Sequence, residues 1–410
     1  MTEVFEPGSA EEARAIVAEA LASKTPLEVR GTGSKCALGR PVETDCAIST
    51  AALSGVSLYE PEELVMRAGP GTPMAQLRLQ LDQHGQMLAF EPPDLGPLLG
   101  GAVEEGTIGG IVAGNLSGPR RIKAGAARDH FLGVEAVSGR GEIFKSGGRV
   151  VKNVTGYDLC KLMCGAWGTL AVMTDVTLKV LPAPEKTRTV LIACDDPAEA
   201  VRAMTAGLSS PNDVSGAAWL PAEVARESAV SYVSGAGTGL VALRVEGIGV
   251  SVDARCAALR EAGSGFGAVE ELHTHNSLAL WRALRDVLAF AETGGTVWKL
   301  SVPPASAPGV IAGIRDAVDC RFYADWGGGL LWIETDGAED AGAGVIRAAA
   351  GGVGGHATLI RAAADLRARI GAFHPETPGV ATLARNVKQG FDPENILNPG
   401  RMYPSVAVDA

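Results

Sequence analysis

The chain has 410 residues, 20% of them charged and 46% hydrophobic, with a formal charge of −11. This length suits two or three domains. The acidic balance excludes a general nucleic-acid binder, and no apolar run approaches the ~18 residues that a membrane span needs. Glycine is the outlier at 53 residues, and 17 of these fall between positions 96 and 168, where backbone must approach something closely.

In chain order, Ser9 with Glu11 and Glu12 predicts a helix start. Ile16, Val17, Ala20 and Leu21 continue it at helical spacing. Pro26–Arg30 reads as a strand that enters the glycine turn Arg30-Gly31-Thr32-Gly33-Ser34-Lys35. A strand at 64–68, a helix at 73–82 and a stop at Gly85 follow. The glycine-rich segment 106–119 comes next, then a hairpin of 132–137 with 142–145 and a strand at 172–181. Pro182 and Pro184 mark a boundary. Residues 186–364 alternate strand-like runs with Ala/Arg helices. They predict two α+β units of about 90 residues sharing an antiparallel sheet, although no sequence repeat is visible. A helix at 379–389 precedes the turn Asn398-Pro399-Gly400-Arg401.

The turn 30–35 offers backbone N–H groups, two hydroxyls and two cations, which suits a pyrophosphate, although such a turn taken alone is more often a plain surface turn. Cys36 occupies the third glycine position of a Rossmann fingerprint, and the Walker A spacing is missing. Residues 106–118 carry five glycines, and Asn115 and Ser117 add directed hydrogen bonds. Two such segments in one domain favour an extended dinucleotide. The seven cysteines contain no CxxC, so zinc-ribbon and iron–sulfur spacings are absent, and reduced thiols are expected. Cys160 and Cys164 share a helix face and read as core. Residues 1–10 lack the apolar core of a secretory signal.

The segments RGTGSK, GTIGGIVAGNLSGPRR, GAARDHFLGVEAVSGRGEIFKSGG, VKNVTGYDLCKLMCGAWGTLAVMTDVTLKVLP and FDPENILNPGRMY occur in an order that resembles the vanillyl-alcohol oxidase/PCMH-type FAD-binding family. SGPRR, WRALRDV, VWKLSVPP and DWGGGLLW narrow the resemblance to the FAD-binding (E) subunits of bacterial glycolate oxidases. The fold implied is α+β: a PCMH-type FAD-binding domain of two α+β subdomains over 1–182, an α+β cap with an antiparallel sheet over 183–368, and a C-terminal segment, 369–410, that returns to the first domain.

The resemblance implies that Arg30, Gly31, Thr32, Gly33, Ser34 and Lys35 hold the FAD pyrophosphate. Thr107, Gly109, Gly110, Gly114, Asn115, Ser117 and Gly118 would lie along the pyrophosphate and flavin. Gly165, Gly168, Thr169 and Leu170 would border the cofactor, with Val172 toward the adenine, and Asn398 and Arg401 would approach the flavin. RGTGSK has no histidine to anchor the cofactor, so non-covalent FAD is expected. Implied partners are a sister flavoprotein subunit that oxidises glycolate, a small 2-hydroxy acid, to glyoxylate, and an iron–sulfur subunit that carries electrons onward. The location implied is cytoplasmic, at the inner face of the membrane through the complex.

Relatives that oxidise 2-hydroxy acids carry an H-x-G-D-G-N-x-H segment, which this sequence lacks. No general base is assigned. Lys299, Trp281-Arg282 and Asp325-Trp326 are cap residues that could clamp a carboxylate or serve surface and core, with Trp281 on an apolar stripe. Arg120, Arg121, Lys123 and Arg128 form a basic patch that could face phosphate, carboxylate, a partner or solvent.

Overall fold

The computed structural model describes residues 2–149, 156–336 and 339–404; part of the VKNVTGYD segment lies outside them. The chain forms two compact units. One comprises Met1–Ser117, Gly125–Ala183 and Arg367–Ala410, and the other Gly118–Ala124 and Pro184–Leu366.

The first unit opens with β1 (Glu3–Phe5) and the helix Ala10–Ser23. Ser9 is extended at φ −148°, and its hydroxyl accepts the Glu12 N–H at 3.2 Å, the cap its residue type predicts. Ala13, Val17 and Ala20 turn inward, and Lys24 at φ 54° ends the helix. β2 (Glu28–Arg30) and β3 (Cys46–Ser49) complete a parallel sheet of order β1-β3-β2.

β4 (Val56–Glu60), β5 (Val65–Ala68), β7 (Phe131–Ser138), β8 (Ile143–Gly147) and β9 (Ala171–Lys179) build an antiparallel sheet of order β4-β5-β9-β7-β8. Two short strands, β6 (Gln86–Met87) and β10 (Leu181–Pro182), pair beside it. β9 is central, and its burial is nearly continuous along both faces. One apolar cluster joins the helix (Ala13, Val17), the parallel sheet (Ile48), the antiparallel sheet (Val137, Val172) and the chain's return (Ile396, Leu397).

The second unit is an antiparallel sheet of eight strands: β11 (Lys186–Ala193), β12 (Gly216–Leu220), β13 (Leu240–Gly247), β14 (Val269–Leu272), β15 (Thr296–Ser301), β16 (Cys320–Asp325), β17 (Leu330–Thr335) and β18 (His356–Arg361). Its order is β14-β11-β13-β12-β16-β17-β15-β18. Each half therefore places its own strands fourth, first, third, second. Each half also carries two crossover helices, Pro197–Ser209 and Gly249–Gly263 in the first, Ala307–Arg315 and Ala343–Gly351 in the second. That is the β-α-β-β-α-β arrangement twice. The halves meet at β12 and β16 through the pair Trp219↔Ala324. The duplication expected from the alternation of elements is present in the topology.

After the second unit, the helix Pro378–Phe391 leads the chain back into the first. Leu397 bridges Leu27 in parallel, with Leu27 N–H donating to Ile396 O at 2.7 Å and Asn398 N–H to Leu27 O at 2.9 Å. Asp392 is 1% exposed and fastens this return. Its carboxylate accepts the N–H groups of Ile396 (3.0 Å) and Leu397 (2.8 Å) and the Lys388 ammonium (2.5 Å). Lys388 Nζ also donates to Thr169 O and Leu397 O. Asp392→Ala leaves an ammonium and two amides without their acceptor, so a loss of about 3–5 kcal/mol is expected in the denaturant unfolding of the first unit.

Candidate functional site

β2 feeds directly into the turn 31–36, where Cys36 N–H closes on Gly33 O at 3.0 Å and Gly33 adopts φ 89°. The second glycine segment is seated against it. A Cβ on Gly31 would lie 2.7 Å from Thr107 Oγ1, and one on Gly109 would lie 2.6 Å from Pro70 Cβ. Thr32 Oγ1 donates to Glu105 O at 2.6 Å, and Gly109 N–H to Pro70 O at 2.8 Å. Gly31 thus leaves room for the Thr107 side chain, and Gly109 for Pro70.

Between the two loops lies an open cleft. Backbone and small polar groups of Arg30–Cys36, Thr107, Gly109 and Gly110 form one side, and Ala113, Trp167, Ala171 and Met173 supply apolar surface. Its charge is unbalanced. Glu28 is shared by Arg30 (3.1 Å) and Arg401 (3.6 Å). Arg401 is buried, donates to Lys35 O at 3.0 Å and is pushed down by burial. Lys35 Nζ has one hydrogen bond among the described residues, to Ser34 Oγ at 3.5 Å. Burial pushes this ammonium down to about 8, against the pull of Asp94. A cradle of glycines with surplus positive charge and a flat apolar wall fits FAD, which combines a diphosphate with planar rings. Cys36 also lines the cleft, but burial and Glu28 push its thiol up, away from the nucleophilic thiolate.

The structure brings Arg30, Gly31, Thr32, Gly33, Ser34, Lys35, Thr107, Gly109, Gly110, Gly168 and Arg401 to the cleft. The other expected residues are not among those that line it. Asn115 Oδ1 accepts Arg128 N–H, and Ser117 Oγ accepts Ala127 N–H. Gly114 and Gly165 sit where Leu116, Trp167 and Asn115 crowd the backbone. Thr169 bonds Ala166 O, while Leu170 and Val172 are core. Asn398 spends its amide on Val29 and Trp167 backbone. Gly118 belongs to the second unit, where its carbonyl accepts Trp326 Nε1–H at 3.1 Å. Sequence reasoning did not single out Val29, Thr50, Pro70, Ala113, Trp167, Ala171 or Met173 as lining; only Pro70, inside Gly-Pro-Gly, carried a signal.

Cys160 and Cys164 are buried, and burial pushes their thiols up to about 11 and about 12, in keeping with core packing.

The second unit holds a separate cluster. The strand pairing sets Trp332 beside Lys299, and the turn Trp326–Gly328, with Gly327 at φ 67°, folds the Trp326 ring over. Lys299 Nζ lies 5.3 Å from the Trp326 ring centre and 5.8 Å from that of Trp332. Arg121 stacks on Trp326 at 4.2 Å. Burial and then Arg121 push Lys299 down to about 8, with Asp325 opposing. Among the described residues Lys299 makes no hydrogen bond or ion pair. Elsewhere in this unit Arg120 and Glu246 form a two-pronged pair at 2.9 and 2.8 Å. Burial works against that carboxylate, yet Arg244 and Arg120 hold it down at about 2. Trp281 is 2% exposed and lies under Arg244, as its apolar stripe suggested.

Comparison with known proteins agrees with this geometry. Residues 2–147 match a model of an FAD binding domain, and 375–402 match the C-terminal domain of FAD linked oxidases. The chain is 35% identical to the glycolate oxidase subunit GlcE of Escherichia coli (strain K12) over 94% of this chain and 95% of that one. It is 25% identical to the glycolate oxidase subunit GlcD of Bacillus subtilis (strain 168), covering 98% and 88%. D-lactate dehydrogenase of Archaeoglobus fulgidus is 34% identical over 44% of this chain and 38% of its own. Among solved structures, p-cresol methylhydroxylase with substrate bound superposes with a TM-score of 0.74 at 15% identity, covering 99% of this chain and 90% of that one. This likeness bears on the fold alone.

The charge imbalance predicts how the cleft titrates. A bound diphosphate raises the Lys35 pKa, so above pH 8 binding must take up a proton. FAD affinity is expected to hold steady below about pH 8 and to fall above it. Lys35→Met should weaken binding roughly 10- to 100-fold near pH 7 and flatten this profile, as measured by FAD titration of the apoprotein.

Proposed function

The chain belongs to the vanillyl-alcohol oxidase/PCMH-type family of FAD-linked oxidoreductases, among the glycolate oxidase subunits, and from that premise we propose that it is the FAD-binding subunit of a complex that oxidises glycolate to glyoxylate and passes the electrons to an iron–sulfur partner. FAD-dependent hydroxy-acid oxidation is common ground with its relatives. The observation that carries the reading is the cleft, where Arg30 and Arg401 share the carboxylate of Glu28 and the Lys35 ammonium stands beside a glycine cradle.

Residues 31–35, Thr107, Gly109, Gly110 and Arg401 would hold the cofactor non-covalently. The flavin, when bound, supplies a two-electron acceptor. The turn at Trp167 and Gly168 shapes the apolar wall that excludes water. Partner subunits are needed because the sequence has no iron–sulfur ligand spacing. Absence of the H-x-G-D-G-N-x-H segment favours a relay role for this chain, with the sister subunit oxidising the acid.

Lys299 favours a second reading. An ammonium flanked by two tryptophans and Arg121, with no carboxylate bonded to it among the described residues, suits the carboxylate of a small hydroxy acid. This chain would then oxidise a 2-hydroxy acid itself. Anaerobic addition of glycolate to the purified flavoprotein separates the two. Bleaching of the flavin in the chain alone supports the second reading, and bleaching only with the sister subunit present supports the first. A folded chain that retains no FAD overturns both. Under the second reading, Lys299→Met should raise KM for glycolate roughly 10- to 100-fold with the flavin spectrum unchanged. Wild-type KM should rise as pH passes about 8 and Lys299 loses its proton.

A further inference from the structure

Several polar side chains on the eight-stranded sheet of the second unit are spent on one another. Thr189 Oγ1 meets Ser277 Oγ at 2.6 Å and accepts Trp281 Nε1–H at 2.8 Å. Ser215 Oγ accepts Arg244 Nε–H at 3.1 Å, and Glu334 holds Arg321 at 2.6 Å and Arg361 at 2.9 Å. One patch departs from this. Lys299, Ser301 and Thr358 make no side-chain hydrogen bond among the described residues.

Strand register sets these three side by side. Lys299 lies directly opposite Thr358, and Ser301 lies opposite His356, on β15 and the edge strand β18. Residues two apart on a strand share a face, and directly opposed side chains have Cβ atoms about 5 Å apart. Trp298 marks the other face: its Nε1–H donates to Ala341 O at 3.0 Å, and Arg347 of the crossover helix Ala343–Gly351 stacks on it at 5.3 Å. The patch therefore faces away from that helix. None of its three residues is fully buried, so solvent reaches them.

We propose that Lys299, Thr358 and Ser301 form the recognition site for a short 2-hydroxy acid, the ammonium taking the carboxylate and the two hydroxyls taking the 2-hydroxyl group. The proposal rests on the second reading above, in which the Lys299 cluster holds this chain's own substrate. A 2-hydroxyl both donates and accepts, as do the hydroxyls of Thr358 and Ser301. It stands one carbon from the carboxylate, as the two side-chain hydroxyls stand on positions next to Lys299. A carboxylate without that group leaves both hydroxyls unmatched, which is how such a site selects. Inorganic phosphate is served less well, because the Trp326 and Trp332 rings flank Lys299 where its further oxygens would need donors.

The test titrates the FAD-loaded chain with glycolate, acetate and inorganic phosphate by calorimetry. Glycolate is expected to bind roughly tenfold more tightly than acetate. Thr358→Val removes the hydroxyl and keeps the shape, so it should cost glycolate most of that advantage and leave acetate unchanged. Thr358→Ser should keep the advantage, Ser301→Ala should narrow it, and Lys299→Met should weaken both acids. Matching unfolding midpoints show that the variants are folded. A glycolate-to-acetate ratio that survives both Thr358→Val and Ser301→Ala overturns the proposal, and so does phosphate binding more tightly than glycolate. The flavin spectrum reads the underlying function separately. A hydroxyl-dependent ratio in a chain whose flavin glycolate never bleaches overturns the second reading alone. Bleaching with the ratio intact in both variants overturns the recognition site alone.

Discussion

Asn398 gives its whole side-chain amide to backbone. Oδ1 accepts the Val29 N–H at 2.8 Å, while Nδ2 donates to Val29 O at 3.2 Å and Trp167 O at 2.8 Å. It lies 1% exposed, at φ 42°, in the chain's return. Three stretches far apart in sequence meet there: the strand that launches the phosphate-type turn, the turn that supplies the apolar wall, and the segment that delivers Arg401. Gly168 must lack a side chain for this to happen, since its Cβ would lie 2.9 Å from Asn398 Nδ2. The cleft thus depends on a polar residue that does not line it.

The cleft also shows how an acidic chain can receive an anion. The net charge of −11 is a property of the whole surface, but binding answers to local balance. Around the glycine turn, basic side chains outnumber the carboxylates that touch them. Burial further prevents water from compensating the difference. An incoming diphosphate relieves that imbalance, which is why it should carry a pH signature.

The glycine loops were legible in the sequence because their chemistry is the absence of a side chain, and the spacing of Gly31, Gly109 and Gly110 exposes that directly. The elements of the second unit were legible too, since each has its own period. The lining by Trp167, Ala171 and Met173 was not, because it follows from β9 lying between β5 and β7. Asn115 and Ser117 looked like ligand contacts by residue type, and Asn398 through the family resemblance. In the folded chain they satisfy backbone groups that would otherwise be stranded. The setting of Lys299 is equally non-local. It needs Trp332 from the neighbouring strand and Trp326 from a triple-glycine turn.

The repeated half-sheets have a consequence for how the second unit can change. Strand register puts Arg244 and Lys299 on the same face of the sheet. In the first half that face is closed by the helix Thr274–Arg285, whose Trp281 covers Arg244. In the second, Lys299 stands between two indole rings, with no carboxylate bonded to it among the described residues. One copy acts as a buttress while its twin is released from that duty. The halves remain tied across the seam, by the Trp219 and Phe322 rings at 5.6 Å and by Tyr323 Oη donating to Leu284 O at 2.9 Å, so substitutions around Lys299 act on a surface whose backing both halves share.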